Sequence, residues 1–400
     1  MPPPYDLSTL GIHGDDWLAK STDIAPLLHV STTFRYSSNP DELGTAEHDA
    51  PSVDVPPVYS RMAAPNTTRL EAALSAVLKG HAVTYASGLA AFHAMMVFLR
   101  PNVVAIGQGD VSGYHGCHGV LDLLKKLYGL KVVDLNDEKS WDEAGLGKGD
   151  VVHLETPINP SGEAFNIRAY ADKAHARGAY LTVDSTFGPP TLQNPLEHGA
   201  DCVMHSGTKY LGGHSDMLCG VLVVPEAHQE WFWGLRNERM FLGSTLGNME
   251  GWLGLRSLRT LDLRVKQQSR NAENLVSWLY EMVNAGQSVN DPAAAVVAKT
   301  VYRVQHASLQ KEDFDWLRVQ MPNGFGPVFA LWLKDEESAK RLPSKLKLFH
   351  HATSVGGVES LVEWRRISDP SVDPRLLRFS IGVENWEDLR DDLLHGLNAL

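Results

Sequence analysis

From Thr67 onward the chain alternates short apolar runs with stretches of helical period, and this alternation restricts the fold more than any other feature. "NVVAIG", "LKVVDL", "DVVHLE", "AYLTVD" and "DCVMH" have the continuous apolar character of strands buried on both faces. "HGVLDLLKKLYG" and "NIRAYADKAHARG" read as the helices between them. Strands joined through single helices form βαβ units, so the expected fold class is α/β with a mostly parallel sheet. Ligands of such sheets sit beyond the carboxyl ends of the strands. The residues that follow each run are therefore where chemistry is to be sought.

The flanking segments differ in texture. "TTRLEAALSAVLKG" places Leu70, Leu74, Val77 and Leu78 on one helical face and stops at Gly80, and "SGLAAFHAMMVFL" predicts a helix with Ser87 as N-cap. Residues 1–60 are rich in Pro, Ser and Asp. "SSNPDELGTAEHDAPSVDVPP" among them reads as an extended loop that lies on a partner subunit. Past Gly247 a long helical stretch, roughly Glu250 to Asn284, leads into a smaller α+β portion. Its strands are "GPVFALWLK" and "LLRFSIGVE", and Asn385 caps a final helix with Asp388 at its third position. The expected organisation is an arm (1–60), a large α/β domain (61–248) and a C-terminal α+β domain (249–400).

Charge and cysteine usage narrow the function classes. A formal charge of −12 argues against nucleic acid as a partner, because phosphate backbones need clustered Lys and Arg. Cys117, Cys202 and Cys219 are odd in number and two lie in apolar runs, which suits a reducing compartment rather than a disulfide framework. The first residues lack the basic and apolar regions of a secretory signal. Leu89 to Leu99, the longest apolar stretch, is interrupted by His93 and is too short to span a bilayer. The expectation is a cytoplasmic protein with a small-molecule substrate and no membrane partner.

Two strand ends carry the chemistry. "AYLTVD" ends in Asp184, and "DCVMHSGTK" reaches Lys209 a few residues past its strand. An Asp and a Lys at one sheet edge suit a pyridine ring, the amine holding pyridoxal phosphate (PLP) and the carboxylate keeping the ring nitrogen protonated. A structural ion pair would use the same two residues. A phosphate cradle is available where Ser87, Gly88 and Leu89 open a helix, with Ser206 and Thr208 adding hydroxyls; plain N-capping is the blander role for Ser87. Tyr114, in "GDVSGYHGCHG", offers a flat partner for the ring. His115, Cys117 and His118 beside it lack the spacing of a metal site, and none is assigned.

With these residues in hand, the chain resembles the Cys/Met-metabolism PLP enzymes of fold type I, the cystathionine γ-synthase-like family. "YSRMAAPNTTRLE" resembles the family's YSRxGNPT segment, "ETPINPSG" its ETPxNP, "VDSTFGPP" its VDNTFATP and "HSGTKYLGGHSD" its SxTKYxxGHSD. "SVGGVESLVE" is similar to SLGGxESL, and "LLRFSIGVEN" to LxRLSVGxED. The resemblance implies a seven-stranded-type sheet in the large domain and a homotetramer, a dimer of dimers, with sites built at interfaces. It implies Lys209 as Schiff-base lysine and proton shuttle, Asp184 on the ring nitrogen, Tyr114 stacked on the ring, and Asn159 on the phenolic oxygen. Gly88, Leu89, Ser206 and Thr208 would hold the phosphate, with Tyr59 and Arg61 reaching in from a neighbouring subunit. Arg378 and Ser354 would take the substrate carboxylate, with Asn159 and Tyr59 beside it.

The chain also departs from the pattern. Met62 stands where the family has an aromatic, Ala63-Ala64 replace Gly-Asn, and Asn66 replaces Thr. His115 and Cys117 alter the turn after Tyr114. Thr353 stands before "SVGG", where lyases that read a distal ammonium resemble an acidic pattern. This favours γ-replacement on an O-activated homoserine, such as O-acetyl-L-homoserine, through a vinylglycine-type ketimine. The nucleophile is a thiol or a stabilised carbon acid. Elimination from cystathionine is the alternative, and a non-catalytic subunit that keeps the fold is the reading from another class.

Overall fold

The computed structural model describes residues 5–43, 56–285 and 291–400. A short helix α1 (Leu7–His13) precedes α2 (Pro65–Leu78) and the first strand, β1 (His81–Tyr85). Then follow α3 (Gly88–Leu99), β2 (Val103–Ile106), α4 (His115–Tyr128), β3 (Lys131–Asp134), α5 (Glu138–Ala144), β4 (Val151–Glu155) and α6 (Ile167–His175). The first sheet is completed by β5 (Tyr180–Asp184), β6 (Cys202–Ser206) and β7 (Gly220–Val224). Its order is β1-β7-β6-β5-β4-β2-β3, and β7 alone runs antiparallel to its neighbours. The five apolar runs expected as strands are β2 to β6; the sheet is mostly parallel, as the alternation predicts, and has the seven strands that the family resemblance implies. Its strands are almost wholly buried, with Val83, Val104, Val152, Leu181, Val183 and Val221 at 0% exposure, since helices cover both faces.

Helices α7 (Gln229–Leu242), α8 (Asn248–Leu258) and α9 (Leu261–Ala285) lead to the second sheet. The stretch read as one long helix is two. At the break the Ser257 carbonyl accepts from the side chain of Arg264 at 3.0 Å, and Arg259 is drawn to the buried Asp15 at 3.1 Å. The second sheet contains β8 (Val301–Gln305), β9 (Val328–Leu333), β10 (His350–His351), β11 (Leu361–Trp364) and β12 (Leu376–Ser380), in the order β10-β11-β12-β9-β8. It is antiparallel except for β10 with β11. Helix α10 (Pro292–Thr300) and the last helix, α11 (Trp386–Asn398), pack with α9 on its core of Leu275, Phe329, Phe379 and Leu393. Asn385 accepts from the Asp388 N–H at 3.1 Å, the cap expected there.

Much of the loop expected to be extended, residues 44–55, lies outside the described residues. The described part of the arm is held on its own large domain. Asn66, fully buried, accepts from His29 N at 2.9 Å and donates to Leu27 O at 2.8 Å. Trp252 Nε1 donates to Pro26 O at 2.8 Å. Asn66, a departure from the motif, thus ties the arm to α2 together with Arg69, whose Nε donates to the buried Asp15 at 2.7 Å.

Candidate active site

The carboxyl ends of β4, β5 and β6 and the start of α3 surround a cavity of about 410 Å³, closed on its other side by the second sheet. Its lining includes Ser87, Gly88, Leu89, Tyr114, Asn159, Asp184, Ser206, Thr208, Lys209, Ser354 and Arg378. These are all of the residues singled out in the sequence except two. Tyr59 and Arg61 do not line it; the Arg61 guanidinium lies 4.9 Å above the Tyr59 ring.

Each side chain is set by its strand. β5 delivers Asp184 in register beside Glu155, the last residue of β4. Asp184 Oδ1 accepts from Thr186 N at 2.9 Å and Thr186 Oγ1 at 2.5 Å. Burial outweighs those bonds and raises its pKa. The loop after β6 then turns on Ser206: Lys209 N donates to Ser206 O at 3.0 Å, while Thr208 Oγ1 accepts from Cys219 N at 3.0 Å. Lys209 Nζ donates to Ser354 Oγ at 2.7 Å. Burial, reinforced by Arg378, pushes the Lys209 amine down to about 8, so about a tenth of it is neutral at pH 7, far more than for an ordinary lysine.

Where α3 begins, Ser87 Oγ accepts from Ala90 N at 3.1 Å, the plain capping bond. The first-turn N–H groups of Gly88 and Leu89 have no intrahelical acceptor. They stand beside Ser206, because a Cβ on Gly88 would approach Ser206 Cβ and Oγ at 3.1 Å. Free donors, a helix N-terminus and a hydroxyl make an anion cradle in a cavity that also holds an amine and a strand-end carboxylate. That donor set fits a phosphorylated pyridine aldehyde.

On the small-domain side, Arg378 comes from β12 and is 6% exposed. It donates to Asn159 Oδ1 at 2.9 Å, to Ser354 O at 3.0 Å and to Glu363 Oε2 at 2.5 Å. Ser354 has φ of 90°, the left-handed region that a serine rarely adopts and that often marks a functional loop. Burial lowers the Arg378 pKa to about 10 although Glu363 opposes the shift.

A model of the Cys/Met metabolism PLP-dependent enzymes matches residues 8–398. The chain belongs to that family. It is a PLP-dependent enzyme of fold type I and of the γ-synthase or lyase kind. It is 32% identical to cystathionine gamma-synthase of Escherichia coli (strain K12) over 394 residues, 94% of this chain and 93% of that protein. It is 34% identical to L-methionine gamma-lyase of Streptomyces avermitilis over 413 residues, 97% of this chain and 88% of that protein. Among solved structures, metB from Corynebacterium glutamicum superposes with a TM-score of 0.84 at 29% identity, covering 100% of this chain and 99% of that one. Apo CalE6, a methionine gamma lyase from Micromonospora echinospora, has a TM-score of 0.81 at 30% identity, covering 98% and 99%.

The site of this Cys/Met-metabolism enzyme also contains residues that sequence reasoning missed. Glu155 lines the cavity and accepts from Tyr114 N at 2.7 Å and Asn159 N at 2.8 Å. It thereby ties together two of the singled-out residues. Burial and the neighbouring Asp184 push it up to about 8 against those two bonds. It could have been found by the argument that found Asp184, since it too is an acid ending an apolar run. Glu363 and Arg365 had no such signal, because their place depends on how β11 registers against β12. All three cysteines are unpaired and buried, and burial pushes the Cys117 thiol well up. Among the described residues no His/Cys/Asp/Glu group is arranged to hold a metal ion, and no helix is long and apolar enough to cross a membrane.

Proposed function

We propose that this enzyme performs γ-replacement on an O-activated homoserine such as O-acetyl-L-homoserine, with a thiol or a stabilised carbon acid as nucleophile. The observation that carries the reading is that the cavity has no carboxylate to spare. Among the described residues lining it, Glu155 and Asp184 are the acids, and both are engaged by the bonds given above. Thr353, at the exposed mouth, has no charge. A thioether with a distal ammonium, as in cystathionine elimination, would bury that cation without a partner. An acyl ester of homoserine brings no such group.

In this reading the residue roles are those that the family resemblance implies. Asp184 pairs with the ring nitrogen, and Tyr114 stacks on the ring. Asn159 holds the phenolic oxygen, while Gly88, Leu89, Ser206 and Thr208 hold the phosphate. Bound PLP supplies an electron sink for the carbon skeleton of the amino acid. Lys209 Nζ anchors the cofactor and then serves as the base that moves protons at Cα and Cβ, a task suited to an amine titrating near 8. Arg378 takes the α-carboxylate by its fork, with Ser354 beside it. The γ C–O bond breaks with its electron pair leaving on the carboxylate product, and the nucleophile gives up a proton as it bonds to Cγ. Tyr59 and Arg61 complete the phosphate site of a neighbouring subunit in a cytoplasmic homotetramer; light scattering in solution tests the assembly.

The deciding experiment is a product assay by mass spectrometry. PLP-loaded enzyme receives O-acetyl-L-homoserine alone, with thiols and with carbon acids, and L-cystathionine in parallel. A new amino acid that forms only with a nucleophile is expected. Keto acid from cystathionine with no adduct from the ester would overturn the reading in favour of a lyase.

A further inference from the structure

Two buried guanidiniums, not one, line the small-domain side of the cavity. Arg378 is 6% exposed and Arg365 is 5% exposed. They share a single carboxylate: Glu363 Oε2 accepts from Arg378 Nη2 at 2.5 Å and from Arg365 Nη1 at 3.0 Å. The other oxygen of Glu363 accepts from Ser368 Oγ at 2.8 Å. Burial works against the Glu363 anion, yet the two arginines outweigh it and hold the carboxyl below its ordinary range. Glu363 is therefore an ion locked between two cations.

The two arginines differ in what remains to them. Arg378 also reaches Asn159 and Ser354, so its outward donors are oriented from three sides. Arg365 has one side-chain hydrogen bond among the described residues, the one to Glu363. Its Nε is sealed from solvent with no acceptor at all. A guanidinium carries five donors, and leaving buried ones unpaired is destabilising. Packing alone would be served by an apolar side chain of similar size. A ligand acceptor that meets the cavity-lining part of the guanidinium accounts for a cation in this place, while the sealed Nε stays out of its reach.

What kind of ligand follows from the balance of charge. On this side two guanidiniums share one carboxylate, and no acid is free, since Glu155, Asp184 and Glu363 are each engaged. A group that binds beside Arg365 therefore carries a carboxylate and lacks a neighbouring ammonium. We propose that Arg365 binds a second carboxylate, separate from the α-carboxylate at Arg378, on a group exchanged at Cγ. This rests on the γ-replacement reading and sharpens it. Two sources share that chemistry: a dicarboxylic acyl leaving group, or an incoming thiol acid or β-keto acid without an amine.

The test uses PLP-loaded wild type, Arg365→Gln and Arg365→Lys. One arm compares O-succinyl- with O-acetyl-L-homoserine at a fixed thiol; the other compares mercaptoacetate with 2-mercaptoethanol at a fixed ester. Wild type is expected to favour the carboxylate-bearing member of one pair by roughly 10- to 100-fold in kcat/KM, chiefly through KM. R365Q erases that preference and R365K restores part of it, and the pair affected names the source. Equal preferences in wild type and R365Q sink the proposal. So does a loss in R365Q that is as large for the carboxylate-free reactants. A calorimetric titration with glutarate and butyrate gives a readout independent of turnover. If no replacement product forms but the preference for glutarate disappears in R365Q, the carboxylate site stands and the γ-replacement reading falls. If product forms and wild type binds both acids alike, the Arg365 proposal falls alone.

Discussion

Arg378 Nη1 donates to Asn159 Oδ1 at 2.9 Å, and this bond joins the second sheet to the first across the cavity. Arg378 belongs to β12, whereas Asn159 follows β4. The Lys209–Ser354 bond, at 2.7 Å, crosses in the same way. A carboxylate arriving at Arg378 thus meets a guanidinium whose plane is already set by the large domain. Such preorganisation lowers the ordering cost of binding.

Asn159→Ala removes that constraint. We expect binding of the amino-acid substrate to weaken by about tenfold, the usual consequence of losing one charge-assisted bond. Arg378→Gln should cost more. Because the two side chains act as one unit, the double variant should lose less than the sum, with a coupling of about 0.5–3 kcal/mol. Additive losses in equilibrium binding would mean that Asn159 does not orient Arg378.

The Lys209 amine gives a pH prediction in the cofactor-free protein. Its pKa is lowered from 10.5 to about 8 by burial and by Arg378. Acylation of Lys209, followed by peptide mass spectrometry, should rise with a midpoint near pH 8. Arg378→Gln should move that midpoint upward. The linked stability has a definite sign. As pH falls from 10.5 through 8 the unfolded chain takes up the proton first, so the folded state loses stability across that window. A labelling midpoint near 10.5 would show that the amine is solvated.

Glu155 works in the opposite sense. Its pKa is raised from 4.5 to about 8, so the unfolded chain ionises first as pH rises through that interval. Its contribution to stability is present below about pH 4.5 and is lost by pH 8. Glu155→Gln has no proton to lose but accepts from only one of Tyr114 N and Asn159 N. The variant should therefore melt below wild type at pH 5, and the gap should narrow or reverse at pH 9. A gap that is constant with pH would place the Glu155 titration in its ordinary range.

How much of this was legible in the sequence depends on whether a residue's setting is local. The strands β2 to β6 were legible because burial on both faces leaves a continuous apolar run. Ser87 and Asn385 were legible because a cap acts within three residues. Lys209 and Asp184 were found at strand ends, Asn159 and Arg378 through motif resemblance, and the fold gathers all four in one cavity. Glu71 was not legible: it lies on the apolar face of α2, buried and paired with Arg236 and Arg239 more than 160 residues away. Glu363 escaped as well, because it meets Arg378 only through the register of β11 against β12. Opposite charges that meet only across a sheet leave no periodic trace along the chain.

Two glycines separate the architecture of the proposed phosphate cradle from its occupancy. Gly220 opens β7 and lies opposite both Tyr85 and Ser206, so it sits between the strand that leads to α3 and the strand that leads to the lysine. A Cβ there would meet Ser87 O at 2.0 Å and Ser87 C at 2.6 Å, and backbone at the head of a helix cannot yield that far. Gly220→Ala should thus destabilise the cofactor-free protein by about 1–3 kcal/mol or more, as overpacking does. Gly88→Ala meets Ser206 only at 3.1 Å, a distance that a few tenths of an ångström of movement relieves. It should leave the melting temperature of the cofactor-free protein nearly unchanged while weakening PLP binding, because the relief moves Ser206 or the helix start away from the phosphate. Melting curves and PLP titrations of both variants separate the two effects. A Gly88→Ala protein that binds PLP as wild type does would remove the start of α3 from the cradle.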